Sequence, residues 1–282
     1  MHLLLTEYMT MELTKTLGRR TSRLFCRLHD EGTTVFDLGK AAALMKVTRP
    51  QAAGILYAAG KRGLVTPVKR GLYNLVPFEL GSTTFHLEDR YLLVRESLGD
   101  MQYFLSHASA FDIHQLATQP NFDVYVSSPR RRKNINLGGS LVHFVWTPAK
   151  RFFGYRSMKL GNTQLCVSDL ERTLVDGVSM PAYCGGLVEV AKAFFTAKTR
   201  LDCAKLIKYA RDYQIGAVLR RAGFLMELLK LADKAVLDEL AADLPAGYVK
   251  LDPDLPAEGG RDPKWGLQLN VSREEIENAL SH

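Results

Sequence analysis

The sequence predicts an α+β chain in two parts: a small three-helix unit closed by a β-hairpin, then a larger mixed α/β unit. Three observations lead there. Between residues 12 and 62 the apolar positions recur at helical steps in three short segments. Two apolar runs then flank a basic Lys69-Arg70-Gly71 turn. From residue 81 onward, strand-like runs come first and helical patterns follow.

Residues 12–29 read as an amphipathic helix. Leu13, Leu17, Leu24, Phe25 and Leu28 recur at three- and four-residue steps, while Arg19, Arg20, Arg23 and Arg27 lie largely away from them. Gly32 stops the helix. Asp37 is placed to cap a second short helix over 38–46, with Leu38, Ala41, Ala42 and Met45 facing inward. Thr48 is the N-cap of a third, and Pro50 sits in its first turn, where no N–H is needed. That helix runs to about Arg62 on an inner stripe of Ala52, Leu56 and Ala59, and Gly63 ends it as a left-handed residue. Leu64–Val68 and Leu72–Val76 form the hairpin, and Pro77 closes the unit.

Three helices and a basic hairpin within residues 1–80 make the winged helix-turn-helix pattern. Small residues (Ala41, Ala42, Ala52, Ala53) let the second and third helices pack closely at a steep angle. The third then stands clear to enter a DNA major groove, N-terminal end first. Thr48, Arg49 and Gln51 are the candidate base contacts at its start, and Lys61 lies near its end. Arginine and glutamine can bond bidentately to guanine and adenine edges. Lys69 and Arg70 at the wing tip suit phosphates or the neighbouring minor groove. The charge agrees: residues 1–80 hold twelve cationic side chains against six acidic ones, +6 of the chain's net +7. Such a gathered excess is the electrostatic footprint of a nucleic-acid-binding module.

Residues 81–282 form the mixed α/β domain. Strand-like runs fall at Tyr103–Leu105, Phe122–Val126, Leu141–Trp146, Phe153–Met158 and Thr163–Val167. Ser168-Asp169-Leu170-Glu171 fits a capping box that opens a helix to about Ser179. Helical patterns follow at 186–198, 202–212, 216–231 and 233–243, then a strand at Leu267–Val271 and a C-terminal helix. Arg130, Arg131, Arg132 and Lys133 are four consecutive cations in a loop between two strands, and Lys150 and Arg151 follow the next strand. Such a loop can lie along a phosphate backbone.

No catalytic set emerges. Asp169 and Glu171, two apart, diverge by about 200° on a helix and cannot share a metal. Arg172 and Asp176 read as a surface i, i+4 pair. His107 and His114 lack a third ligand, and Glu189 with Lys192 reads as an ion pair. Gly138-Gly139-Ser140 resembles the opening of a nucleotidyltransferase motif but lacks the carboxylate pair that should follow closely. The chain is therefore expected not to be an enzyme and to need no metal or other cofactor. Cys26, Cys166, Cys184 and Cys203 match no metal spacing and read as buried free thiols of a reducing compartment. With no apolar run long enough to span a bilayer and no basic n-region before Leu3-Leu4-Leu5, the expected location is the cytoplasm, away from membranes.

Several stretches together resemble one family. They are the wing Lys69-Arg70-Gly71-Leu72-Tyr73, Ser106-His107-Ala108-Ser109-Ala110 with Pro120, and above all Val167-Ser168-Asp169-Leu170-Glu171-Arg172-Thr173-Leu174-Val175-Asp176 followed by Pro181 and Gly185-Gly186. Arg221-Ala222-Gly223-Phe224-Leu225-Met226-Glu227 and Lys264-Trp265-Gly266-Leu267-Gln268-Leu269-Asn270-Val271 complete the match. Over nearly its whole length the chain resembles the AbiEi family of antitoxins, transcriptional regulators of viral defence systems. The resemblance implies the antitoxin of a type IV toxin–antitoxin pair. Its winged domain would repress the shared promoter at inverted repeats. Its C-terminal domain would counteract a nucleotidyltransferase-like toxin without necessarily touching it. The alternative is a nucleic-acid-processing enzyme whose winged domain targets a catalytic C-terminal domain.

Overall fold

The structure is a computed structural model that describes residues 17–160 and 163–281. The chain divides into two compact units, Met1–Gly99 with Asn136–Gly139, and Asp100–Ile135 with Ser140–His282. Both helices and sheets are present throughout, so the fold is α+β.

The first unit begins with α1 (Arg19–Asp30), β1 (Val35–Asp37), α2 (Leu38–Met45) and α3 (Arg49–Lys61). It continues with β2 (Val65–Lys69), β3 (Leu72–Leu75) and α4 (Arg90–Leu98). Leu24, Phe25 and Leu28 of α1 pack with Ala41, Ala42 and Met45 of α2 and with Ala52, Leu56 and Ala59 of α3 in one core. The alanines are what permit the close approach, as expected from the sequence. Leu13, assigned to the first helix, lies outside the described residues. The sheet is antiparallel in the order β1-β3-β2. β1 is an addition to the expected elements: Val35 and Phe36 are buried and Asp37 doubles as the cap of α2. Gly63 follows α3 at φ +65°, and a Cβ there would collide with Thr84, so both the backbone angle and the space require glycine.

The first unit runs past residue 80, where the sequence placed its boundary. The reason is hydrogen bonding: His86 N donates to Thr66 Oγ1 (3.2 Å) and Glu88 N to the fully buried Asn74 Oδ1 (3.0 Å). These bonds tie the segment before α4 to the hairpin, and Tyr91, Leu93 and Val94 of α4 are buried.

The second unit opens with β4 (Phe104–Leu105), α5 (His107–Ile113) and β5 (Val124–Ser128); the short β6 (Ile135–Leu137) falls at the boundary, with Asn136 and Leu137 counted in the first unit. β7 (Ser140–Trp146), β8 (Tyr155–Leu160) and β9 (Thr163–Ser168) follow. Five strands of the larger sheet run in the order β7-β5-β4-β9-β8. β5 and β7 are parallel, in register from Val124 against Val142 to Ser128 against Trp146. Helices α6 (Leu170–Ser179), α7 (Leu187–Ala197), α8 (Cys203–Asp212), α9 (Gly216–Leu228) and α10 (Lys234–Ala242) then build an apolar core. The small strands β10 (Val249–Lys250), β11 (Gly260–Asp262) and β12 (Leu267–Leu269) precede α11 (Arg273–Leu280).

Two consecutive buried arginines of α9 anchor that last sheet. Arg220 donates to the carbonyls of Gly247 (3.0 Å), Trp265 (3.0 Å) and Gly266 (3.2 Å), and also to that of Pro245. Arg221 donates to Lys250 O (3.0 Å) and Val178 O (3.0 Å). Beside them Gly223 lets the fully buried Trp265 lie on the helix, and a Cβ there would collide with its six-membered ring. Gly223→Ala is therefore expected to destabilise the chain by about 1–3 kcal/mol, despite alanine's better helix propensity. Urea unfolding checks this, and an unchanged or raised midpoint would contradict the packing described.

Candidate nucleic-acid interface

In the first unit, Thr48 and Gln51 close a capping box at the start of α3: Thr48 N donates to Gln51 Oε1 (3.1 Å) and Gln51 N to Thr48 Oγ1 (3.5 Å). Asp37 caps α2 in the same manner, accepting from Lys40 N at 2.7 Å. The two helices are thus set end to start with most orphan N–H groups answered. Thr48, Arg49, Gln51 and Lys61 are all exposed. Gln51 nevertheless spends its carbonyl oxygen on the cap, which leaves its NH2 as the group free to face a base. Arg49 lies beside the start of α2, where a Cβ on Gly39 would stand 3.2 Å from its Nη2.

The exposed face of α3 also carries Pro50, Gly54, Tyr57 and Ala58. Tyr57 is 67% exposed, with Lys61 Nζ 4.8 Å from its ring centroid. This residue was not among the sequence candidates. Its signal is positional, since it stands on the opposite side of the helix from Ala52, Leu56 and Ala59. At the hairpin tip Lys69 and Arg70 are exposed, but Lys69 Nζ is held by Ser97 Oγ (2.7 Å) and Ser97 O (3.3 Å). The hairpin is therefore braced against α4 through Lys69, and Arg70 is the exposed cation beside it.

In the second unit, Arg130, Arg131, Arg132 and Lys133 are all exposed, in the loop that leaves β5. The loop is pinned at both ends. Arg130 N donates to the buried Ser128 Oγ (3.3 Å), and Asn134 Oδ1 accepts from Phe144 N (3.1 Å). The parallel register brings Lys150 and Arg151, which follow β7, to the same end of the sheet.

The carboxylates, histidines and arginine around α6 are each held by neighbouring groups. Ser168 does not cap α6. It ends β9, and its Oγ meets Thr173 Oγ1 (2.8 Å); Asp169 is the cap, accepting from Arg172 N at 2.9 Å. Because Asp169 precedes the first helical residue, the 200° divergence from Glu171 does not apply. Both carboxylates converge on Lys205 Nζ, at 3.0 and 2.8 Å. Burial alone would lower the Lys205 pKa, but hydrogen bonds to Glu171 and Asp169 outweigh it and raise it.

Arg172 and Asp176 are not a surface pair. Both are fully buried, with Nε 2.9 Å from Oδ1. Arg172 Nη1 also donates to Arg151 O (2.5 Å) and Phe153 O (3.0 Å), and its guanidinium lies over the rings of Phe153 and Tyr213. His107 and His114 have separate partners, Ser106 Oγ (2.9 Å) and Ser168 O (2.7 Å). Burial lowers both imidazole pKa values. Glu189 and Lys192 form the expected ion pair at 2.8 Å. Of the four thiols expected to be buried only Cys184 is, and desolvation pushes its pKa up; Cys166 and Cys203 are half-buried and Cys26 is exposed on α1. Among the described residues no group of three or more His, Cys, Asp or Glu could hold a metal ion. No helix among them is long and apolar enough to cross a membrane.

The chain is similar in fold to the crystal structure of the RV2827C protein from Mycobacterium tuberculosis. The TM-score is 0.73 at 15% identity, over 95% of this chain and 96% of that one. No family model matches the chain. No curated protein matches it either.

Proposed function

We propose that this chain is a DNA-binding transcriptional repressor acting in the cytoplasm as the antitoxin of a type IV toxin–antitoxin system. It binds inverted repeats in its own promoter and counteracts a nucleotidyltransferase-like toxin. The observation that carries the DNA-binding reading is α3, whose exposed side holds Arg49, Gln51, Tyr57 and Lys61 in the unit with most of the chain's net charge. The antitoxin reading rests on the AbiEi-like motifs. In this reading α3 reads bases, Arg70 and the braced Lys69 meet phosphates, and Arg130–Lys133 adds sequence-independent contacts.

A gel shift on the protein's own upstream region tests the reading. Arg49→Ala and Gln51→Ala are each expected to weaken specific binding by about 1–3 kcal/mol and to relax base preference locally. Gln51→Glu separates readout from capping, because a carboxylate can still accept from Thr48 N but cannot donate to adenine. Wild-type affinity and specificity in all three variants would remove α3 as the reading element.

A further inference from the structure

The chain's two tryptophans have opposite settings. Trp265 is fully buried, whereas Trp146, the last residue of β7, is 46% exposed. Phe144 lies two residues back on the same face of the strand and is half-buried. The guanidinium of Arg131 lies 4.1 Å from the Trp146 ring centroid. Arg130, Arg132 and Lys133 flank this stack on the pinned loop, and Lys150 follows Trp146 at the same sheet end.

A large exposed indole inside a cationic cluster is not what binding to phosphates alone requires. Phosphate contacts need only the charges. A planar aromatic–guanidinium surface among cations suits a ligand with both a π-face and a negative backbone. In a duplex the base faces are already stacked on one another, but in a single strand they are open.

We propose that this end of the second unit is a binding site for single-stranded nucleic acid. An unpaired base stacks on the Trp146–Arg131 surface, and the flanking phosphates are held by Arg130, Arg132, Lys133 and Lys150. An acidic peptide would satisfy the cations and leave the indole unused. The site lies apart in sequence from α3; it shares the Arg130–Lys133 cations with the duplex reading, but the base stack on Trp146 does not depend on that reading.

The test uses the full chain and its intrinsic fluorescence, since Trp146 is the solvent-accessible tryptophan. Titration with dT12 or rU12 is expected to quench the emission saturably, whereas poly-glutamate is not. Both oligonucleotides quenching alike would assign the shared chemistry, and a preference for one would identify the strand type that the site takes. With labelled oligonucleotide followed by anisotropy, Trp146→Ala is expected to weaken binding roughly 5- to 150-fold, the span for loss of one base–aromatic stack. Trp146→Phe should recover most of it. An unchanged melting temperature in Trp146→Ala, together with wild-type affinity for the promoter duplex, would place the loss in the proposed site. Absence of quenching, equal quenching by poly-glutamate, or wild-type single-strand affinity in Trp146→Ala would each overturn the proposal. None of these outcomes bears on base reading by α3, whose variants are scored on the duplex.

Discussion

Arg172→Ala is expected to lower the unfolding free energy by about 3–5 kcal/mol, the loss typical when one member of a buried ion pair is left behind. Three things disappear together. Asp176, fully buried, loses its counter-charge at 2.9 Å. The carbonyls of Arg151 and Phe153 lose their shared donor. The aromatic rings of Phe153 and Tyr213 lose the cation that lies over them. For a unit of this size the melting temperature should fall by roughly 6–20 °C, read from the emission of the buried Trp265. Replacing both charges, as Arg172→Met with Asp176→Leu, should recover much of the loss, because a buried pair costs desolvation that an apolar pair of similar volume avoids. A single variant within about 1 kcal/mol of the wild type would mean that the pair is not buried as described.

The second large effect is on DNA affinity. If about four to six phosphates are neutralised per protomer, the slope of log K against log salt should be about −4 to −5. Raising salt from 50 to 200 mM then weakens binding by about 250- to 1000-fold. Arg70→Ala should flatten the slope by about one unit while leaving base preference intact. Lys69→Ala should act less cleanly, since Lys69 also braces the hairpin through Ser97. A slope near zero in the intact protein would end the duplex-binding reading.

Local chemistry made the first unit legible in the sequence. Asp37, Thr48 and Gly63 each mark an element boundary with a side chain or a backbone angle, and all three hold, while the partnership of Thr48 with Gln51 went unread. What the sequence hid depends on contacts between distant residues. The unit runs on beyond residue 80 because Thr66 and Asn74 accept bonds from His86 and Glu88. No window of periodicity contains both ends of such a bond. Arg172 and Asp176 have the spacing of a surface pair, and only the packing around them makes them interior. Ser168 and Asp169 are both good caps, and β9 decides between them by continuing through Ser168. In each unit the exposed cations were plain from composition, whereas Tyr57 in the first and Trp146 in the second were not. An aromatic residue in an apolar pattern reads as core until its face is known.

The arginine pair at the centre of α9 also imposes an order on how the chain becomes whole. Arg220 finds one of its acceptors in Gly266, 46 residues further along. During synthesis the helix is therefore complete well before any carbonyl that receives the Arg220 guanidinium has left the ribosome, whereas Arg221 already has Val178 O behind it. Until then the Arg220 charge must stay in water, and the surface of α9 that later lies under Trp265 stays open with it. Closure of the second unit is consequently a late event. A product cut short between Leu228 and Pro245 retains the helix but none of the acceptors that Arg220 uses, and it has no route to the finished interior.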